Sequence, residues 1–224
     1  LDIIAIVGVP VIAGNILLNC AAVIQKGDLL ALIPKTFLPN YSEFYEKRWF
    51  ASSQDLNPID ILYAGSSIHI TNQPTIFRTY TGATFGIELC EDVWAPEPPS
   101  TRLCLSGADI IFNLSASDEL IGKHNYLCSL LSQQSARTMS GYVYSSSGFG
   151  ESTQDLVYGG NALIYENGNE VASSERFSFE SQMVVAQIDY EMLRAERRNN
   201  TTLMNAQRPR SLSHTLPQVR FIIC

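Results

Sequence analysis

The chain has 224 residues, 46% of them hydrophobic and 10% aromatic, enough to bury the core of a single layered α/β or all-β domain. Its formal net charge of -7 and the lack of a basic stripe argue against nucleic acid, because a phosphate-binding surface needs clustered Lys and Arg. No apolar run approaches the ~20 residues that span a bilayer, and the 5 cysteines lie in apolar contexts, which argues against a disulfide framework and for a reducing, cytoplasmic setting.

Short β-rich runs open the chain at 3–9, 19–25 and 29–34, separated by Gly-Asn and Gly-Asp turns. With no initiator Met, this opening is the pattern expected of a piece whose first strand and helix lie upstream. The next segment, 34–50, is rich in aromatic and charged residues, holds two prolines and reads as a structured loop with a helical turn. A polar stretch, 51–60, leads to strands at 67–70, 75–81 and 84–90. A helix is predicted over 101–106, stopped by Gly107, and a continuous apolar strand over 108–114, of the kind covered on both faces.

Leu127, Leu130 and Leu131 lie at helical spacing in an amphipathic helix over 122–138. A strand at 142–147 runs into a glycine-bearing loop, Gly148 to Thr153, which lacks the third glycine and the following helix of a dinucleotide site. Strands at 161–165 and 170–176 flank Asn167-Gly168, a strong hairpin signal. A last strand is read at 183–189 and a helix at 190–198. The remainder, 200–224, is polar with prolines, like a linker or an embracing arm. It belongs to a basic tail: residues 190–224 hold 6 of the 15 basic side chains and 2 of the 22 acidic ones.

The chemistry centres on the end of the run at 84–90. A β-forming stretch ends in Cys90, and Glu91, Asp92, Val93 and Trp94 follow at once. A strand tip fixes the backbone while the turn after it exposes a thiol, and a neighbouring amide is free to face a developing oxyanion. The competing reading is a buried core cysteine, since free Cys is among the most buried residue types. The adjoining carboxylates favour a polar cleft, being costly in a core without partners. Lys35, after another strand, is the second candidate: an ammonium beside a thiol favours the thiolate and later neutralises an oxyanion. The three histidines, His69, His124 and His214, pair with no cysteine at ligand spacing, so no metal site is expected. There is also no Gly-x-Ser-x-Gly elbow.

The segments around Pro34-Lys35-Thr36-Phe37-Leu38-Pro39-Asn40-Tyr41, Phe44-Tyr45-Glu46-Lys47-Arg48, Glu88-Leu89-Cys90-Glu91-Asp92-Val93-Trp94 and Asn113-Leu114-Ser115-Ala116-Ser117 resemble the nitrilase (carbon-nitrogen hydrolase) superfamily. Within it, the chain is similar to the glutaminase-domain branch found in glutamine-dependent NAD+ synthetases. Residues 142–144, 150–153, 166–168, 174–177 and 194–198 fit that branch too. The resemblance implies a four-layer α-β-β-α sandwich, with residues 1–199 as a glutaminase domain and 200–224 reaching toward a synthetase domain outside this sequence. It further implies a Cys-Lys-Glu triad with Cys90 as nucleophile, Lys35 as its lysine and Glu46 as the family's second glutamate. Tyr41, Glu91, Ser117 and Lys123 would contact the substrate, L-glutamine, with Lys123 standing where some relatives carry arginine.

No residue here matches the triad's general-base glutamate, which in the family precedes the first strand seen in this chain. The ammonia released would serve amidation of deamido-NAD+ to NAD+, with ATP and Mg2+ required by the synthetase domain and no cofactor by this one. The family also implies a homo-oligomer. Two readings compete with glutamine hydrolysis: another nitrilase-type amidase, and a catalytically silent piece lacking its base.

Overall fold

The structure, a computed structural model, describes residues 3–151, 155–207 and 220–224. Three antiparallel strands come first: β1 (Ile4–Ala13), β2 (Ile16–Gln25) and β3 (Asp28–Pro34), paired in that order. β1 is longer than its sequence signal and continues through Pro10, which it tolerates as an edge strand because proline has no N–H to donate to a ladder. A hairpin, β4 (Ile59–Tyr63) and β5 (Ser66–Ile70), follows. The sequence pattern does not announce β4, whose alternation is masked by the polar stretch before it.

A seven-stranded sheet holds the rest: β6 (Thr75–Arg78), β7 (Thr84–Leu89), β8 (Ile110–Ser115), β9 (Gly141–Ser146), β10 (Ala162–Glu166), β11 (Asn169–Ser173) and β12 (Arg220–Ile223). Their order across the sheet is β11-β10-β9-β8-β7-β6-β12, with β7, β8 and β9 mutually parallel. The helices are α1 (Pro99–Leu105), α2 (Lys123–Thr138), α3 (Tyr190–Asn199) and α4 (Thr201–Ala206).

Side-chain alternation sets the layers. On β7 and β8, Phe85, Ile87 and Leu89 with Ile110, Phe112 and Leu114 meet Ala21, Val23 and Ala31 of the three-stranded sheet. The opposite face, with Ile111, Tyr142, Tyr144 and Leu163, is covered by Leu103 and Cys104 of α1 and Leu127 and Leu131 of α2. Two sheets packed face to face with helices outside is the α/β layering the sequence implied. On the outer face of the three-stranded sheet, Val11, Leu18, Cys20 and Leu32 pack on Ile68 and Ile70 of the β4–β5 hairpin, and no helix covers that face among the described residues.

Two expectations need correction. Residues 183–189 form no strand: they pair with none of the described strands, and Met183 and Val185 are exposed. Within the stretch read as a polar arm, 201–206 is helical, capped by Asn200 Oδ1 accepting from the Leu203 amide at 2.9 Å. In that same stretch, β12 pairs in parallel with β6, about 145 positions earlier in sequence. Residues 208–219, with His214, and Ser152 and Thr153 lie outside the described residues.

Candidate active site

Cys90 stands where β7 ends, opening a 3-10 turn, Cys90–Trp94. Its φ of 46° lies in the left-handed region, uncommon for a residue with a Cβ. The chain below it is well anchored. The Cys90 N–H donates to Asn113 Oδ1 on β8 at 3.1 Å, Ser115 Oγ donates to the same oxygen at 2.7 Å, and Asn113 Nδ2 donates to the Tyr142 hydroxyl at 3.1 Å. Tyr142 in turn donates to Glu88 Oε1, while Glu88 Oε2 accepts the Ser100 amide of α1 at 2.7 Å. Burial pushes both the Glu88 carboxyl and the Tyr142 hydroxyl up.

Gly86, two residues before Glu88, admits α1: a Cβ there would lie 2.8 Å from Leu103 Cδ1.

Lys35 follows β3, its N–H donating to the Asn19 carbonyl at 2.8 Å. Its side chain is 3% exposed, and Nζ donates to Glu46 Oε2 at 2.5 Å. Glu46 begins a 3-10 turn, Glu46–Arg48, and its other oxygen accepts from Asn19 Nδ2 at 2.7 Å. The two predicted partners therefore form one ion pair, as buried charges must.

Between the thiol and the lysine segment sits Asp92, 1% exposed. Its Oδ1 accepts the amides of Phe37 at 2.7 Å and Thr36 at 3.2 Å, and its Oδ2 accepts the Leu89 amide at 3.0 Å. Even with those donors, burial pushes its carboxyl up to about 7.

A cleft of ≈ 670 Å³ has Lys35, Glu46 and Cys90 together in its wall. Around them are Asn19, the hydroxyls of Ser145, Ser146 and Ser147, Glu151 and Tyr158. Tyr41, Glu91, Ser117 and Lys123 do not line this cleft. The Tyr41 hydroxyl donates to Glu91 Oε1 at 2.8 Å, and burial, then that bond, push the Tyr41 hydroxyl up. Burial also raises Glu91, against the opposing pull of Tyr41, Lys35 and Lys123. Lys123 Nζ donates to the buried Asp118 carboxylate and sits over the rings of Trp94 at 5.4 Å and Phe44 at 5.9 Å. The Ser117 amide donates to Ser146 Oγ at 3.2 Å. A second cavity, ≈ 620 Å³, is lined by Asp92 but by none of the seven predicted residues.

Sequence reasoning did not single out Asn19, the 145–147 serines or Tyr158, which carry no local motif, and gave Glu151 no role although it lies in the 150–153 segment. Asn113 and Asp92 were visible inside quoted motifs, but their roles depend on partners 23 and 55 positions away. His124 does meet a cysteine: its Nε2 lies 3.5 Å from Cys128 Sγ one helical turn on. No group of three His, Cys, Asp or Glu able to hold a metal occurs among the described residues. No helix among them is long and apolar enough to cross a membrane.

No protein-family model matches the chain. It is 36% identical over 220 residues to the glutamine-dependent NAD(+) synthetase of Mycobacterium bovis, covering 97% of this chain and 32% of that protein. The human protein of the same name is 29% identical over 203 residues, covering 88% of this chain and 29% of its own length. The solved glutamine-dependent NAD(+) synthetase of Cytophaga hutchinsonii superposes with a TM-score of 0.71 at 26% identity, over 82% of this chain and 29% of that one. Saccharomyces cerevisiae Nit3, a member of branch 10 of the nitrilase superfamily, superposes with a TM-score of 0.64 at 17% identity over 89% and 65%, a likeness of fold. The chain spans about a third of the length of the relatives it matches.

Proposed function

Since the chain is a homologue of glutamine-dependent NAD(+) synthetases over that third of their length, and has the nitrilase-superfamily fold, we propose that it hydrolyses the side-chain amide of glutamine at Cys90. The observation that carries the reading is the placing of Cys90 in one cleft wall with the buried Lys35–Glu46 pair. The thiol sulfur attacks the amide carbon, the oxygen becomes an oxyanion near the Lys35 ammonium, and collapse expels ammonia to leave a glutamyl thioester. Water then cleaves the thioester to glutamate.

Each turnover needs a base to take the thiol proton and return it to the leaving nitrogen. The resemblance gives that task to a glutamate with no counterpart in this sequence; Glu46 is committed to Lys35 and Asn19. Tyr41, Glu91, Ser117 and Lys123 serve this reading as substrate contacts. They reach glutamine only if the Lys123–Asp118 and Tyr41–Glu91 bonds are exchanged for bonds to it.

The ammonia would feed an ATP- and Mg2+-dependent amidation of deamido-NAD+ by a synthetase domain, in a homo-oligomer in the cytoplasm, with β12 belonging to the hydrolytic unit together with 1–199. Burial disfavours three of the other four thiols: it pushes Cys20 up to about 12 and raises Cys104 and Cys224 as well.

The test is glutamate production by the wild-type chain and by Cys90→Ala, with iodoacetamide mapping of all five cysteines. Hydrolysis that is lost in Cys90→Ala, and alkylation of Cys90 ahead of the others, are the expected results. Retained hydrolysis in that variant, or prior alkylation of Cys20, Cys104 or Cys128, would overturn the assignment. Folded wild type that alkylates at Cys90 but makes no glutamate would favour the silent reading.

A further inference from the structure

From Asp92, buried between two segments that no ladder joins, we infer that this carboxylate is a positioning residue. It locks the Lys35 segment to the Cys90 turn and so sets the lysine against the thiol. The inference rests on the proposed chemistry at Cys90. Lys35 and Cys90 arrive from different sheets, one at the end of β3 and the other at the end of β7. Packing alone fixes such ends loosely, and a shift of about 1 Å at a reacting group can change a rate by about 100-fold.

Asp92 bridges the gap with divided labour. Oδ1 serves the lysine side through Phe37 and Thr36, while Oδ2 takes the Leu89 N–H, one residue before Cys90 on the thiol side, with the Thr36 N–H only at 3.5 Å. The Phe37 N–H donates to Asp92, so the segment after Lys35 takes its hold on this part of the protein from that one carboxylate. Ser52 and Ser53 secure the other side of the same segment, through the Thr36 carbonyl at 2.6 Å and the Thr36 hydroxyl at 3.3 Å.

The division makes Asp92→Asn a sharp perturbation. An asparagine keeps size and shape but can present only one oxygen. Whichever way the amide turns, its NH2 faces backbone donors on one side, and the bridge breaks there. The charged groups nearest Asp92 are Glu88 of β7, which opposes its ionisation, and Lys35, which favours it. Neither can replace the acceptor.

The experiment compares iodoacetamide rates at Cys90 at about pH 8, where Asp92 is ionised, corrected for folded fraction, in wild type, Asp92→Asn, Lys35→Met and the double variant. Asp92→Asn should slow alkylation about 10- to 100-fold. In the Lys35→Met background the same change should have little further effect, because Asp92 acts through Lys35. An unchanged rate in Asp92→Asn, or additive losses in the double variant, overturns the inference, since a purely structural residue would weaken folding without this coupling.

If Asp92→Asn does not fold, amide hydrogen exchange of the wild-type chain decides. The Phe37 amide should be protected about 100-fold or more over its unfolded rate, and an unprotected one overturns the bridge. Should wild-type Cys90 not be modified ahead of the other cysteines, the proposed chemistry fails and this inference with it.

Discussion

Asp109 offers a way to separate stability from chemistry. It is fully buried just before β8, and α3 is fastened to it. Arg194 clasps it with both donors, Nη2 to Oδ2 at 2.6 Å and Nε to Oδ1 at 3.1 Å, and Arg197 Nη1 approaches at 3.4 Å. From β7, the Thr84 amide and hydroxyl add bonds of 2.9 and 2.8 Å. Asp109→Asn removes the charge and sets an NH2 among donors.

Breaking a buried ion pair costs about 3–5 kcal/mol. Arg194 is 34% exposed, so solvent screens part of its share and the lower end, about 3 kcal/mol, applies. For a chain of this size that is a fall of about 6–12 °C in Tm, read by thermal unfolding followed by circular dichroism. Cys90 lies at the other end of the parallel pair β7 and β8, roughly 20 Å away at about 3.3 Å per residue. Its alkylation rate per folded molecule should therefore change less than about twofold, below the scale set by misplacing a reacting group. A Tm loss under ~2 °C would show that the arginines contribute little, by the same scaling. A large loss of Cys90 reactivity in folded protein would refute the independence of the two sheet ends.

Gly86→Ala should destabilise by about 1–3 kcal/mol, because the new methyl meets Leu103 at 2.8 Å, and Leu103→Ala in the same chain should recover part of that in urea denaturation. Stability should fall as pH rises from about 4 to about 7: the folded chain keeps the Asp92 proton that the unfolded chain, with its ordinary value of 3.8, has already released. The loss is on the order of 4 kcal/mol over that whole range and about 3 kcal/mol between pH 5 and pH 8, with Glu88 acting in the same direction, and urea midpoints at those two pH values check it; a higher midpoint at pH 8 would contradict the sign. Tyr41→Phe should free Glu91 from its partner, raising KM for glutamine more than it lowers kcat; an unchanged KM would remove Tyr41 from the substrate contacts.

Local chemistry made much of this legible. The run into Cys90, the Asn167-Gly168 hairpin and the leucine spacing of α2 all declare their geometry within a dozen residues, and each formed where the pattern placed it. Lys35 and Glu46 lie 11 positions apart and are matched by motif; their ion pair follows. What stayed hidden depended on partners distant in sequence. β12 is a strand because β6 has an edge to receive it, whereas the segment 183–189, whose Met183 and Val185 stay exposed, pairs with no described strand. Asp92 looks in sequence like half of an acidic pair beside the thiol, but it faces inward while Glu91 faces Tyr41, a distinction that the one-residue step of a 3-10 turn creates and composition does not record.

The left-handed backbone at Cys90 carries one more consequence, for anyone who would engineer this chain. A side chain in that region costs about 1–2 kcal/mol relative to glycine, so the fold by itself would be served better by Cys90→Gly. A library selected for heat tolerance alone should drift there toward glycine and yield a sturdier protein without the thiol. Only a selection that also demands the thiol would hold the cysteine in place.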